Sequence, residues 1–198
     1  KVFIMKRLIL IFILTLSFQS WTKADDIRDF QIEGMSIEDS LLDYLTEDEI
    51  KKNLITNYWK GTRKYYAVGI FEPNQYDQIE IYLKTNDKDY KIKAIVAMLI
   101  KSPKNCKNKK KIVISDIEKS FKNLNGISYY DVPHTYDKTG NSKQDQTGFL
   151  FKDANDKDHI RVECTYWSKK MLKKGFKNTL SVSVNSTEIL QWISSGYK

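Results

Sequence analysis

Strict alternation in several short segments and one long helical stripe predict an α+β domain. The expected architecture is an antiparallel β-sheet of about six strands in two three-stranded meanders, with helices packed on one face. The clearest strand is His159-Ile-Arg-Val-Glu-Cys-Thr-Tyr166. Ile160, Val162, Cys164 and Tyr166 fall on one side of it, and Arg161, Glu163 and Thr165 on the other. A period of two marks a half-buried strand. Between Arg63 and Ile100 three further β-rich segments follow one another through short turns, the pattern of a meander. The helical signal is Cys106, Lys110, Val113, Ile117, Phe121 and Leu124, spaced three or four residues apart along one face.

The chain opens on a segment that does not belong to the fold. Met5-Lys-Arg7 is basic, Leu8 to Phe18 is apolar apart from Thr15 and Ser17, and Thr22-Lys-Ala24 offers small residues at the two positions a signal peptidase reads. Residues 1–24 are therefore expected to be a secretory signal peptide, with residues 1–4 an upstream extension. An uncleaved inner-membrane anchor is the alternative, but the apolar run is shorter than the roughly 20 residues of a comfortable span. Residues 25–198 form one domain of ordinary size, expected in the periplasm or secreted, with no transmembrane span of its own.

Charge points the same way. The whole sequence carries +8, but Lys1, Lys6, Arg7 and Lys23 belong to the leader, leaving 29 bases against 25 acids. A balance of +4 does not argue for nucleic acid. The charges are unevenly spread: residues 25–50 hold ten acids and one base, whereas 101–111 hold six lysines and no acid.

In order, Gly34 to Leu45 reads as a helix capped by Ser36, with Ile37, Leu41, Tyr44 and Leu45 on its apolar face. Thr46-Glu-Asp-Glu49 forms a capping box for a short second helix to about Leu54. Strands follow at Tyr65–Phe71, Gln78–Thr85 and Tyr90–Ile100. The long helix should run from about Lys104 to Asn123. Its first-turn lysines oppose the helix dipole, so either something asks for them or the helix begins later, at Ser115. Ser128 to Gly148 has no clear period and reads as a long irregular loop. Strands return at Thr147–Lys152, 159–168 and Thr179–Asn185, and a last helix spans Glu188–Ser195.

Few residues could carry chemistry. In an exported chain two cysteines, Cys106 and Cys164, are most simply a disulfide, and the rival reading, a reactive thiol, has no activating neighbour in sequence. A bridge would draw two lysine runs towards one end of the molecule: Lys107, Lys109, Lys110 and Lys111 with Lys169, Lys170, Lys173 and Lys174. Such a basic patch would suit an anionic envelope component, although lysine-rich solvated turns are the plainer reading. The irregular loop offers Tyr129, Tyr130, His134, Tyr136 and Asp137 as a ligand- or partner-contact surface. A small hydrolase using His134 and Asp137 is the alternative. No triad order, phosphate loop or carboxylate pair accompanies them, no metal set is visible, and no cofactor is implied.

Gly34-Met-Ser-Ile-x-Asp-Ser-Leu-Leu-Asp-Tyr44, His134-x-x-Asp137-x-x-Gly140-x-Ser142 and Val162-x-Cys164-x-x-Trp167-Ser168 with Leu180-Ser-Val-Ser183 resemble a family of small exported proteins from marine alphaproteobacteria. The likeness spans nearly all of the chain after the leader. That family has no assigned activity, so the resemblance implies no catalytic residues. It implies export and the Cys106–Cys164 pairing, and draws attention to residues 134–142. One position departs: such proteins often carry Gly where this chain has Glu38.

Overall fold

A computed structural model describes residues 26–55, 64–71, 73, 75–100, 105–122, 124–151 and 159–195. The expected leader, 1–24, lies outside the described residues. No helix among those described is long and apolar enough to cross a membrane.

The fold is α+β, built on one antiparallel sheet. Its eight strands are β1 (Leu54–Ile55), β2 (Tyr65–Phe71), β3 (Gln78–Lys84), β4 (Ile92–Leu99), β5 (Leu124–Pro133), β6 (Lys143–Phe151), β7 (His159–Tyr166) and β8 (Thr179–Asn185). Their spatial order is β1-β2-β3-β4-β8-β7-β6-β5. Two meanders thus lie side by side, but each has four strands rather than three. They join at the centre, where Ile95 of β4 faces Val184 of β8.

The connection from β4 to β5 must travel from the middle of the sheet to its far edge. That is four strand spacings, or roughly 19 Å at ~4.8 Å each. Helix α2 (Cys106–Ser120) makes most of the journey. Its 15 residues span about 22 Å at ~1.5 Å per residue. It lies over β7 and β8 with Cys106, Lys110, Ile117 and the following Phe121 buried. It begins at Cys106 and not at Ser115, so its lysines do sit in the opening turns.

The core follows from the alternation. Ile79, Ile81 and Leu83 of β3, Ile95 and Ala97 of β4, and Phe149 of β6 line one face. Ile160, Val162 and Cys164 of β7, with Leu180, Val182 and Val184 of β8, complete it. Ile27, Ile32, Met35, Ile37, Leu41 and Ile50 of the N-terminal segment join α2 in covering this face, and Phe30 meets Phe121 with ring centroids 5.9 Å apart.

Helices do not stay on one face as expected. Helix α4 (Thr187–Ser194) crosses to the other side, where Ile189 and Trp192 pack on Tyr65, Ala67, Tyr82 and Ala94. The reason lies in β2 to β4, whose alternate positions are also apolar and need a cover. The alternate positions of β6 to β8 are mostly polar, among them Gln144, Gln146, Arg161, Glu163, Ser181 and Ser183.

Two local expectations also fail. Gly34 to Leu45 forms no α-helix, only a 3-10 turn at Leu41–Asp43. Glu38 and Leu41 donate their N–H groups to the carbonyls of Ile92 and Tyr90, and Asp39 accepts from the Ile92 N–H. With these backbone groups satisfied by the start of β4, the helix loses its hydrogen-bonding advantage. Positive φ at Glu33, Gly34 and Glu38 completes the departure. The capping box does hold: Thr46 and Glu49 cap α1 (Glu47–Lys52) reciprocally.

The irregular segment 128–148 is mostly hairpin. β5 and β6 pair from Leu124/Phe151 to Pro133/Lys143, leaving residues 134–142 as the connection. β5 carries no period of its own because it is an edge strand exposed on both faces, with nothing to impose alternation. A bulge between Tyr129 and Val132, with Asp131 at φ 53, disrupts its period further. Finally, the second lysine run is not a bare turn but α3 (Lys169–Lys173), capped by Ser168 and anchored by buried Met171.

Candidate functional site

The hairpin end and α3 together build the most elaborate surface among the described residues. Asp137 organises it. Its Oδ2 accepts from the Ser142 hydroxyl at 2.6 Å, and its Oδ1 accepts from the Thr139 hydroxyl at 2.8 Å and the Thr139 N–H at 3.1 Å. Ser142 Oγ in turn accepts from the Ser168 N–H at 2.9 Å, which ties the loop to the start of α3. The Ser142 hydroxyl first, and Thr139 next, hold the Asp137 carboxyl well below the usual carboxylate range. Gly140 adopts φ 71, and its N–H reaches the Asp137 carbonyl at 3.0 Å, a turn that a side chain would strain.

His134 stands at the loop's other end. Its Nδ1 accepts from the Tyr136 N–H at 3.1 Å, and its ring lies 4.2 Å from Trp167. Burial lowers its pKa below the ordinary imidazole value. The aromatic contacts continue from Trp167 to Phe176 at 4.6 Å and from Phe176 to Tyr136 at 5.5 Å. Four rings therefore form a short ladder, ending on a Tyr136 that is 65% exposed. Ser168, which follows Trp167 in the chain, lines an open recess of about 390 Å³ together with Thr139, Asn141, Lys169 and Lys170. Its chemistry is two ammonium groups, hydroxyls and an amide.

The His134 ring and the Asp137 carboxylate make no hydrogen bond to one another. Both carboxylate oxygens of Asp137 are occupied within the loop. Among the described residues no three His, Cys, Asp or Glu side chains stand together as metal ligands.

The five expected contact residues are separated by the fold. His134, Tyr136 and Asp137 share the hairpin end. Tyr129 pairs with Gln146 on the sheet face that α2 does not cover. Tyr130 projects to the α2 side, where the Lys110 Nζ lies 5.6 Å from its ring centroid.

The disulfide joins Cys106 to Cys164, as compartment and count implied. Around it the lysines part company. Lys107 pairs with Asp145 at 3.1 Å. Lys110, expected on the surface, is 4% exposed, and its ammonium has no hydrogen-bond partner. It is buried because the helical stripe that begins at Cys106 turns it onto the sheet. Lys109 is partly buried, and Lys111, Lys173 and Lys174 are exposed. Lys169 and Lys170 line the recess.

Sequence reasoning missed Asp145, Trp167 and Phe176. Asp145 had a signal: with Thr147 and Phe149 it occupies the core-facing positions of β6, where a carboxylate requires a partner. Phe176 had none, since Gly175-Phe-Lys-Asn178 has no period. No family model, curated protein or solved structure matches this chain.

Proposed function

We propose that the protein is exported and acts in the envelope as a non-enzymatic binding protein, with an acidic polysaccharide as its ligand class. The observation that carries this reading is that the aromatic ladder passes through Trp167, the chain neighbour of Ser168, which lines the recess with Lys169 and Lys170. Aromatic faces stack on sugar rings, ammonium groups neutralise carboxylates or sulfates, and Asn141 and Ser168 supply hydroxyl-directed hydrogen bonds. The bridge between Cys106 and Cys164 supports export, because disulfides persist in oxidising compartments. The hydrolase alternative has less to draw on. Asp137 spends its oxygens inside the loop and His134 stacks on Trp167.

The test is titration calorimetry with an acidic polysaccharide and a neutral one of matching backbone. Binding should favour the acidic chain, weaken with added salt, and fall in Tyr136→Ala and in the Lys169→Ser/Lys170→Ser double variant. Equal affinity for both, or binding that survives both variants, would overturn the assignment.

A further inference from the structure

The two edges of the sheet differ in a way that bears on partners. β1 ends one edge, with Leu54 and Ile55 as its described residues. β5 ends the other with ten, and no strand among the described residues pairs with its outer side. Natural edges are blunted by charge, proline or a bulge. β5 has such devices only at its far end, where the bulge at Asp131 and Pro133 lie. The preceding seven residues, Leu124-Asn-Gly-Ile-Ser-Tyr-Tyr130, contain no charge and no proline.

That run is also self-complementary. A two-fold axis beside Ile127 would set Ile127 against its own copy, Asn125 against Tyr129, Gly126 against Ser128, and Leu124 against Tyr130. No like charges meet in this register, and the one position without a side chain faces a small residue. Ile127, Tyr129 and Leu150 share the sheet face that α2 leaves open and are 48%, 55% and 38% exposed. An axis perpendicular to the sheet would bring both sets together into one apolar cluster.

We propose that β5 is a homodimerisation edge: two copies of this chain pair antiparallel through Leu124–Tyr130, centred on Ile127. The main-chain ladder supplies the contacts, and the uncharged, self-matching sequence selects a second copy over an unrelated strand. A ladder this short falls at the small end of specific interfaces, so the dimer forms reversibly and depends on concentration.

Sedimentation velocity of the purified protein over a wide concentration range tests this. Reversible monomer–dimer exchange is expected for the natural chain. Ile127→Lys and Ile127→Glu should each weaken self-association roughly tenfold or more, because like charges then stand opposite one another. Both substitutions are at a side chain already half in solvent, so circular dichroism should be unchanged. Mixing the two variants should restore the dimer as a heterodimer, which reads the register directly. A natural chain that stays monomeric throughout overturns the proposal. So does undiminished association of Ile127→Lys, or a mixture that remains monomeric. Capture of unrelated extended peptides without self-pairing would likewise overturn it and assign the edge to another protein.

Discussion

Asp145 lies directly across the β6–β7 ladder from Cys164, and its carboxylate reaches Lys107, the residue next to the cysteine that Cys164 is bonded to. The first turn of α2 is thus tied to two adjacent strands, covalently at β7 and ionically at β6. This answers why lysines open a helix whose dipole disfavours them there: Asp145 supplies the opposing charge. Asp131 donates its N–H to the same carboxylate at 3.0 Å, so the bulge of β5 is held to the pair as well.

The bridge should matter for stability. Cys106 and Cys164 are 58 residues apart, and a crosslink of that span contributes about 4 kcal/mol in the chain-entropy account. Reduction, or the Cys106→Ala/Cys164→Ala double variant, is expected to lower the urea midpoint accordingly. A midpoint that reduction leaves in place would mean that packing alone holds α2 on the sheet.

Lys110 is expected to cost stability. Its ammonium is buried without a hydrogen-bond partner, and burial lowers its pKa, Asp145 and Glu163 opposing. The folded-state pKa therefore lies below the unfolded value of about 10.4. The penalty is present in full below the folded pKa and is relieved as pH rises through it towards the unfolded one. Lys110→Met keeps the stem and removes the charge, and should stabilise the protein by about 1 kcal/mol at neutral pH. The variant should also lack the alkaline gain of the natural chain. Chemical denaturation at two pH values measures both effects, and a destabilised Lys110→Met would show that the ammonium is solvated.

His159 should govern the acid limb. Burial first, and Arg161 second, push its pKa down to about 4. Protonation is then disfavoured in the folded state, so the stability it guards is complete above about pH 6.5 and lost as pH falls towards about 4. The size is roughly 3 kcal/mol across that window. NMR titration should find His159 still neutral at pH 5, and His159→Gln should flatten the stability profile there. A ring that titrates near its usual value would remove the effect.

Glu38 holds a left-handed backbone at φ 69, and its carboxylate pairs with Lys93 at 2.8 Å. A residue with a Cβ loses roughly 1 kcal/mol in that conformation, and a half-exposed ion pair returns less than about 1 kcal/mol. Glu38→Gly should therefore be at least as stable as the natural chain. Glu38→Ala, which keeps the strain and drops the pair, should be the less stable of the two variants by about 1 kcal/mol. Thermal unfolding of both decides, and equal stability would mean that the backbone is relaxed here.

Much of the fold was legible because it is written in local periods. β2, β3, β4, β7 and β8 alternate, α1 carries a complete capping box, and the Cys106 stripe marks the face of α2. Each of those signals reports a neighbour a few residues away or a single buried face. The candidate site was legible only in part. The residues 134–142 stood out, but the partners that give them meaning, Trp167, Ser168 and Phe176, come from the far end of β7 and beyond.

Other features depended on where an element sits. β5 is a strand because β6 offers it a ladder, not because its own residues alternate. Gly34 to Leu45 has the apolar spacing of a helix, and Ile37 and Leu41 are buried as that spacing requires. Its backbone nevertheless bonds to β4, a partner some fifty residues away in sequence. Lys110 belongs by spacing to the helical stripe and by type to the lysine run, and only α2 laid on β7 and β8 decides for the buried face. Local sequence set which side chains seek water and which avoid it. Tertiary structure decided which hydrogen-bond partners and which counter-charges were within reach, because those come from chain segments that only the folded sheet brings together.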